Sequence, residues 1–301
     1  MHSKRFTRAL LIALALTVPV GSARLGEWSE ATNLGSALNS ASNEGSPAIS
    51  KNGLSLYLHS DRLGLGGPND LYVSQRRHKT AAWGPAVPLG VPISSSFNEV
   101  APALSRDGHY LFFSTDRPGG PGGLDIWVSY RRHVHDDFAW EDPVPVDSVN
   151  ALGNDAGVAY FENDGGRPQL YFQSTRPGGA GMSDFYMSEQ RADGTWGLPT
   201  YLAELSSPLI DNRITLRHDG RELFFFSNRA GSIGNDIWTS VRATLSDTWS
   251  VPVRLGSPVN TESSDGQPGL SADGEVLYFT SDRPGSLAVD IWMATRPRRK
   301  Q

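Results

Sequence analysis

The chain has 301 residues, 27 lysines and arginines against 32 aspartates and glutamates, a formal net charge of −5, and no cysteine. The acidic balance argues against nucleic acid as a partner, and the absence of cysteine excludes disulfides and lipid attachment through a cysteine. Beyond the N-terminal segment no stretch is apolar enough to cross a bilayer, so no membrane span is predicted.

Lys4, Arg5 and Arg8 precede an apolar run over residues 9–20, and Gly21, Ser22 and Ala23 follow it. This is the pattern of a secretory signal over residues 1–23, and it predicts a periplasmic or secreted chain beginning at Arg24. The competing reading is a membrane anchor, for which the run falls short of the roughly 20 residues a bilayer needs. Loss of the three basic residues takes the net charge from −5 to −8.

From Trp28 onward one unit recurs five times. It opens on a tryptophan segment, at Trp28, Trp83, Trp140, Trp196 and Trp249, mostly proline-bearing, and proline suits an edge strand because it cannot donate to a ladder. A short strand follows, at 47–50, 102–105, 158–160, 214–216 and 268–271. It ends in Asn52-Gly53, Asp107-Gly108, Asp164-Gly165, Asp219-Gly220 or Asp273-Gly274, which supply the positive φ of a two-residue hairpin. An aromatic strand, Leu111-Phe112-Phe113 in the second copy, then runs to an arginine: Arg62, Arg117, Arg176, Arg229 or Arg283. After a Gly-rich turn an aspartate, Asp70, Asp125, Asp184, Asp236 or Asp290, opens a strand of Ile-Trp type.

Successive aspartates are 55, 59, 52 and 54 residues apart, a period that means a propeller or an array. The predicted fold is all-β, a five-bladed β-propeller with four antiparallel strands per blade, in a single domain over residues 24–296 with a basic tail at 297–301. The chain starts on an outer strand and ends after a third one. The N-terminal strand is therefore expected to complete the last blade and close the ring of a monomer.

The run of Ser-Pro-x-Ile/Leu-Ser, Asp-Gly, Leu-Tyr-Phe, Ser-Asp-Arg-Pro-Gly-Gly and Asp-Ile-Trp resembles the WD40-like repeat of TolB-type β-propellers of exported bacterial proteins. Blades three and four depart from it, with Thr175 and Asn228 before the arginine and Val158 and Ile214 in place of the strand-opening proline. The resemblance implies the fold strongly and the function weakly, since its members include periplasmic scaffolds and substrate-gating domains of peptidases.

The repeated arginine and the closing aspartate stand at the two mouths of one loop, so Arg62–Asp70, Arg117–Asp125, Arg176–Asp184, Arg229–Asp236 and Arg283–Asp290 are expected as structural pairs. Trp127, Trp238, Trp292, Tyr72 and Tyr186 are expected between blades. A second acidic series, Glu44, Glu99, Asp155, Asp211 and Asp265, precedes each inner strand and should ring the channel mouth. Five converging carboxylates need neighbouring arginines, a cation or raised pKa values. The expectation is no cofactor, with a divalent cation in the channel as the open alternative. His59, Gln173 and Phe226 break the repeat near the same face and are candidate ligand contacts. His133, His135, Asp136 and Asp137 form the one metal-like cluster, read here as an exposed polar loop, and no metal site is assigned.

Two functions survive. The favoured one is an exported binding scaffold recognising a protein, peptide or envelope glycan through the channel-mouth face, with no catalytic residue assigned. The alternative is a glycoside hydrolase or other hydrolase on a five-bladed scaffold, using a pair of ring carboxylates roughly 5 to 9.5 Å apart.

Overall fold

In four blades the Asn-Gly or Asp-Gly turn, its glycine at positive φ, folds the inner strand back onto the aromatic one through five residues rather than the expected two, and blade three connects over residues 162–168 with Gly165 outside the positive-φ region. The computed structural model describes residues 25–62, 64 and 66–298, so the signal segment 1–23, the expected start at Arg24 and the tail end 299–301 lie outside the described residues. The first strand, β1 (Thr32–Asn33), stands alone at the start. Blade one is β2 (Glu44–Ile49), β3 (Ser55–Ser60), β4 (Asp70–Gln75) and β5 (Val87–Pro88). Blade two is β6 (Glu99–Leu104), β7 (Tyr110–Thr115), β8 (Asp125–Tyr130) and β9 (Val144–Pro145). Blade three is β10 (Asp155–Phe161), β11 (Gln169–Ser174), β12 (Asp184–Glu189) and β13 (Thr200–Tyr201). Blade four is β14 (Asp211–Leu216), β15 (Glu222–Ser227), β16 (Asp236–Val241) and β17 (Val253–Arg254). Blade five is β18 (Asp265–Leu270), β19 (Val276–Ser281) and β20 (Asp290–Thr295), completed by β1.

All pairings within the blades are antiparallel, and β1 joins β20 with Thr32 opposite Met293 and Asn33 opposite Trp292. The predicted five blades and their closure are thus present. The clasp is wider than expected, because Gly26 N–H donates to Pro297 O at 2.8 Å and Leu25 bridges to Arg298, so the tail's first residues belong to the fold. Two boundaries differ from the sequence reading. Inner strands begin at the acid, three residues before the proline, and outer strands are two residues long and start four residues after the tryptophan.

The second strands are buried on both faces, as stacked blades require, with Leu111, Phe112 and Phe113 each 3% exposed or less. Hydrophobic layers fill the gaps between blades, as where Phe185 meets Phe225 edge-on at 5.1 Å. The five expected inter-blade aromatics are all buried.

A second set of arginines, which the sequence reading missed, staples the other face. Arg76, Arg131, Arg242 and Arg296 stack over Trp83, Trp140, Trp249 and Trp28 at 4.2 to 4.4 Å. Each donates Nε to the hairpin glycine carbonyl of its own blade, at Gly53, Gly108, Gly220 and Gly274. The signal was available: each lies six residues after a strand-opening aspartate, and blade three has Gln190 there instead.

Candidate functional site

The strand-opening acids and the loop arginines share one face, as expected, but they are partners of each other. Arg62 reaches Glu44, Arg117 reaches Glu99, Arg176 reaches Asp155, Arg229 reaches Asp211 and Arg283 reaches Asp265, at 2.6, 3.0, 2.6, 2.5 and 2.6 Å. The expected pairs with Asp70, Asp125, Asp184, Asp236 and Asp290 do not form. The loop aspartate turns instead to the backbone of its own loop: Asp125 Oδ2 accepts the Gly122 N–H, Asp184 Oδ2 the Gly181 N–H, Asp236 Oδ2 the Ile233 N–H and Asp290 Oδ2 the Leu287 N–H, and Asp236 is also held by Arg254. The arginine lies over the third-strand aromatic, Tyr72, Trp127, Tyr186, Trp238 or Trp292, at 4.9 to 5.4 Å, and donates back to the inner strand.

These carboxylates are therefore buried, at 1% exposure or less, and offer no free charge at a channel mouth. Glu99 has the longest contact with its arginine, and burial pushes its carboxyl up against the opposing hydrogen bonds from Ser95 and the charge of Arg117. Asp137, from the metal-like cluster, is also spent: it accepts from Ser55, Tyr57, Gln75 and Arg131 and so clips blade one to blade two. Burial acts to raise its pKa, but hydrogen bonds from Arg131, Ser55, Tyr57 and Gln75 win and hold it low. Among the described residues no group of three or more histidines, aspartates and glutamates is placed to hold a metal.

Nearer the axis, the residue two after each acid sits at a bulge with positive φ: Ser46 (47°), Ala101 (53°), Gly157 (62°), Arg213 (51°) and Gln267 (49°). Four of the five carry a Cβ in a conformation that favours glycine, which stores strain at the centre of the ring. Side chains of neighbouring blades cap the freed amides. His59 Nδ1 faces the Ala101 N–H at 3.4 Å, Gln173 Oε1 accepts from Arg213 N at 2.5 Å, and Gln267 Oε1 accepts from Ser46 N at 2.7 Å. Phe226 cannot accept and packs beside Gly266 instead. His59 and Gln173, expected as ligand contacts, thus bond to the bulge amides of the neighbouring blades, and Phe226 packs on Gly266 of the next blade.

Arg213 stands out from the repeat. Its Nη2 donates to Pro102 O at 2.7 Å and Ser46 O at 3.3 Å, so a blade-four side chain crosses to blades two and one. It is 5% exposed, has no carboxylate partner, and burial lowers its pKa to about 9, so it is still charged at neutral pH. Burial, with the Arg213 charge second, holds His59 down at about 4, against a lesser opposing pull from Asp61.

That depression sets the sign of a pH effect. Unfolded, the ring protonates below about 6.5; folded, it resists until about 4. Its contribution to stability is full above the first value and is lost as pH falls to the second. Discounted for the solvent the ring still touches, the loss is on the order of 2 kcal/mol. The wild-type chain should lose that much more than His59→Gln between pH 7 and pH 4 in denaturant melts, and a constant difference between the two would refute the assignment.

On the acid-bearing face a cleft opens between blades three and four, lined by Asn154, Gln173, Thr175, Met182, Ser183 and Asn212 among others. Its polar groups are amides and hydroxyls with no charge. Leu124, also in the lining, accepts the Asp155 N–H at 2.7 Å, so Asp125 and Asp155 are neighbours, each next in the chain to lining residues though not itself in the lining. Burial pushes the Asp125 carboxyl up, and the Asp155 charge adds to this against the Gly122 hydrogen bond. Asp125 Oδ1 is buried with no hydrogen-bond partner among the described residues.

No family model matches the chain, and no curated protein is significantly similar to it in sequence. Solved structures are similar in fold. The α-L-arabinofuranosidase of Lactobacillus brevis superposes with a TM-score of 0.61 at 15% identity, over 85% of this chain and 90% of that one. An exo-1,5-α-L-arabinanase from a bovine ruminal metagenomic library gives 0.58 at 13% identity, over 88% and 100%. TolB of Acinetobacter baumannii gives 0.53 at 16% identity, over 88% of this chain and 57% of that one. The TolB-type resemblance thus holds at the level of the propeller. The favoured reading of a binding scaffold is corrected: the neighbours are predominantly glycoside hydrolases, which fit the alternative better.

Proposed function

We propose that the chain hydrolyses glycosidic bonds in pentose-containing glycans, with the cleft between blades three and four as the sugar trough and Asp125 and Asp155 as its acid and base. One observation carries the reading. Asp125 is held toward the protonated form by burial and by Asp155, while Asp155 is paired with Arg176, and two carboxyls with environments this different are what acid and base roles need. The uncharged amides and hydroxyls of the lining suit sugar hydroxyls. The arabinofuranosidase and arabinanase names among the structural neighbours supply the pentoside class. The secretory pattern of residues 1–23 would put such an enzyme where polymeric glycans are.

Both carboxyls are buried, Asp125 against Gly120 and Gly122 and Asp155 on Arg176 and the Ala151 N–H, so a sugar must displace these contacts to reach them. Asp125 would protonate the departing glycosidic oxygen, and Asp155 would activate a water or attack the sugar carbon, the choice depending on their separation with substrate bound. The test is sugar release from arabinan, xylan and aryl pentosides. Asp125→Asn and Asp155→Asn should each lower release by at least about 100-fold while the ring stays folded. No release from any of these by the folded wild-type chain would sink the proposal.

A further inference from the structure

A buried guanidinium is ordinarily matched by a carboxylate, because moving an unpaired charge out of water costs several kcal/mol. Among the described residues twelve arginines have a carboxylate inside 4.0 Å, even where the arginine is exposed, as Arg298 is beside Glu275. Arg213, at the axis, does not. Its Nε and Nη1 are both buried without a hydrogen-bond partner, and only backbone carbonyls accept from Nη2.

The groups around it are donors as well. The backbone N–H groups of Arg213 and Ser46 fix the amide orientations of Gln173 and Gln267, whose oxygens they occupy, so the NH2 end of each amide is left over. His59 accepts at Nδ1, which puts the ring proton on Nε2. No aspartate or glutamate among the described residues pairs with Arg213, since the acid that opens each of the five inner strands is turned away to its own arginine. Arg213 and Gln267 stand at the strained bulges of their inner strands, while His59 and Gln173 reach the bulges of the neighbouring blades from second strands.

We propose that the centre of the propeller is a binding site for a small monovalent anion, a halide or a carboxylate, held by Arg213 with donors from His59, Gln173 and Gln267. Two sources share this chemistry: a free ion such as chloride, and the carboxylate of an acidic sugar entering from the cleft that Gln173 also lines. A cation is the wrong sign for this wall. The site does not depend on the hydrolytic reading, and a chain without glycosidase activity would keep it.

The experiment is a thermal melt of the whole chain in chloride, acetate, glucuronate, calcium and neutral glucose, at constant ionic strength made up with a bulky organic buffer. Binding to the folded state alone raises the melting temperature with ligand concentration by mass action. The wild-type chain should rise by several degrees with the anions and stay unmoved by glucose, while Arg213→Met should not respond. Equal responses to chloride, acetate and glucuronate identify a site for free ions; a response at much lower concentration of glucuronate identifies a sugar carboxylate. Equal slopes for wild type and variant, or a rise with calcium alone, overturn the proposal. Should Arg213→Met fail to fold, chloride line-broadening on the wild-type chain reads the site directly. Broadening that acetate or glucuronate reverses supports it, and none above a buffer control overturns it.

Discussion

Deleting residues 25–34 is expected to leave a chain that no longer melts as one cooperative monomer. The segment supplies the outer strand β1, a tryptophan under Arg296 at 4.4 Å, and Asn33, whose Nδ2 donates to Asp290 at 2.7 Å and whose Oδ1 accepts from Gly35 and Asn39. Trp28 also meets Phe224 of blade four edge-on at 6.0 Å, so its loss opens an inter-blade layer. A large-to-small change at such a site costs about 3 to 5 kcal/mol, a large fraction of the 5 to 15 kcal/mol typical of a folded domain. Without β1 the edge of β20 is also bare, which invites pairing with a second chain. Size-exclusion chromatography with a thermal melt decides the matter. A monomer with an unchanged melting temperature would show that the ring closes without its clasp.

The second large effect belongs to the arginine and acid of each blade. Arg283 is the most enclosed of the five: Nη2 reaches Asp265 and Val259 O, and Nε reaches Ser281, all within 2.9 Å. Arg283→Met leaves Asp265 buried without its partner, and one-sided removal of this kind costs about 3 to 5 kcal/mol. Replacing both, with Asp265→Leu added, should recover most of the loss, because an apolar pair of similar volume is often neutral. Chemical denaturation of the two single variants and the double one closes the cycle. A double variant no more stable than Arg283→Met alone would mean that the pair orders the loop beyond its charge.

The ring of five blades was legible because it is written five times: turn residues, aromatic runs and aspartates recur at nearly constant spacing, and β-hairpins obey local chemistry. The partner of the arginine was not. Ser60 ends the second strand opposite Glu44 on one side and Asp70 on the other, so Arg62, two residues on, has an acid within reach in either direction. What decides between them is backbone: the N–H groups of the Gly-rich loop claim the aspartate, as Gly122 claims Asp125, and sequence spacing does not display which way those amides point. Arg213 was open to notice, since it occupies a place held by Ser46, Ala101, Gly157 and Gln267 in the other blades. It passed unseen because the bulge that turns this position toward the axis is a register shift, visible only once the strands are paired.

The clasp also imposes an order of events. β1 is the earliest strand to be made, and its partner β20 is among the last, so Thr32 waits through nearly the whole chain for Met293. Blades one to four can each condense from neighbouring residues, but the fifth has to be finished by a strand from the far end, a contact of very high sequence separation. Ring closure is thus expected to be the slowest step of folding, and reopening that same seam the first step of unfolding. The lifetime of the native ring is then set at one seam, and reinforcing it should slow unfolding with little effect on how fast the separate blades form.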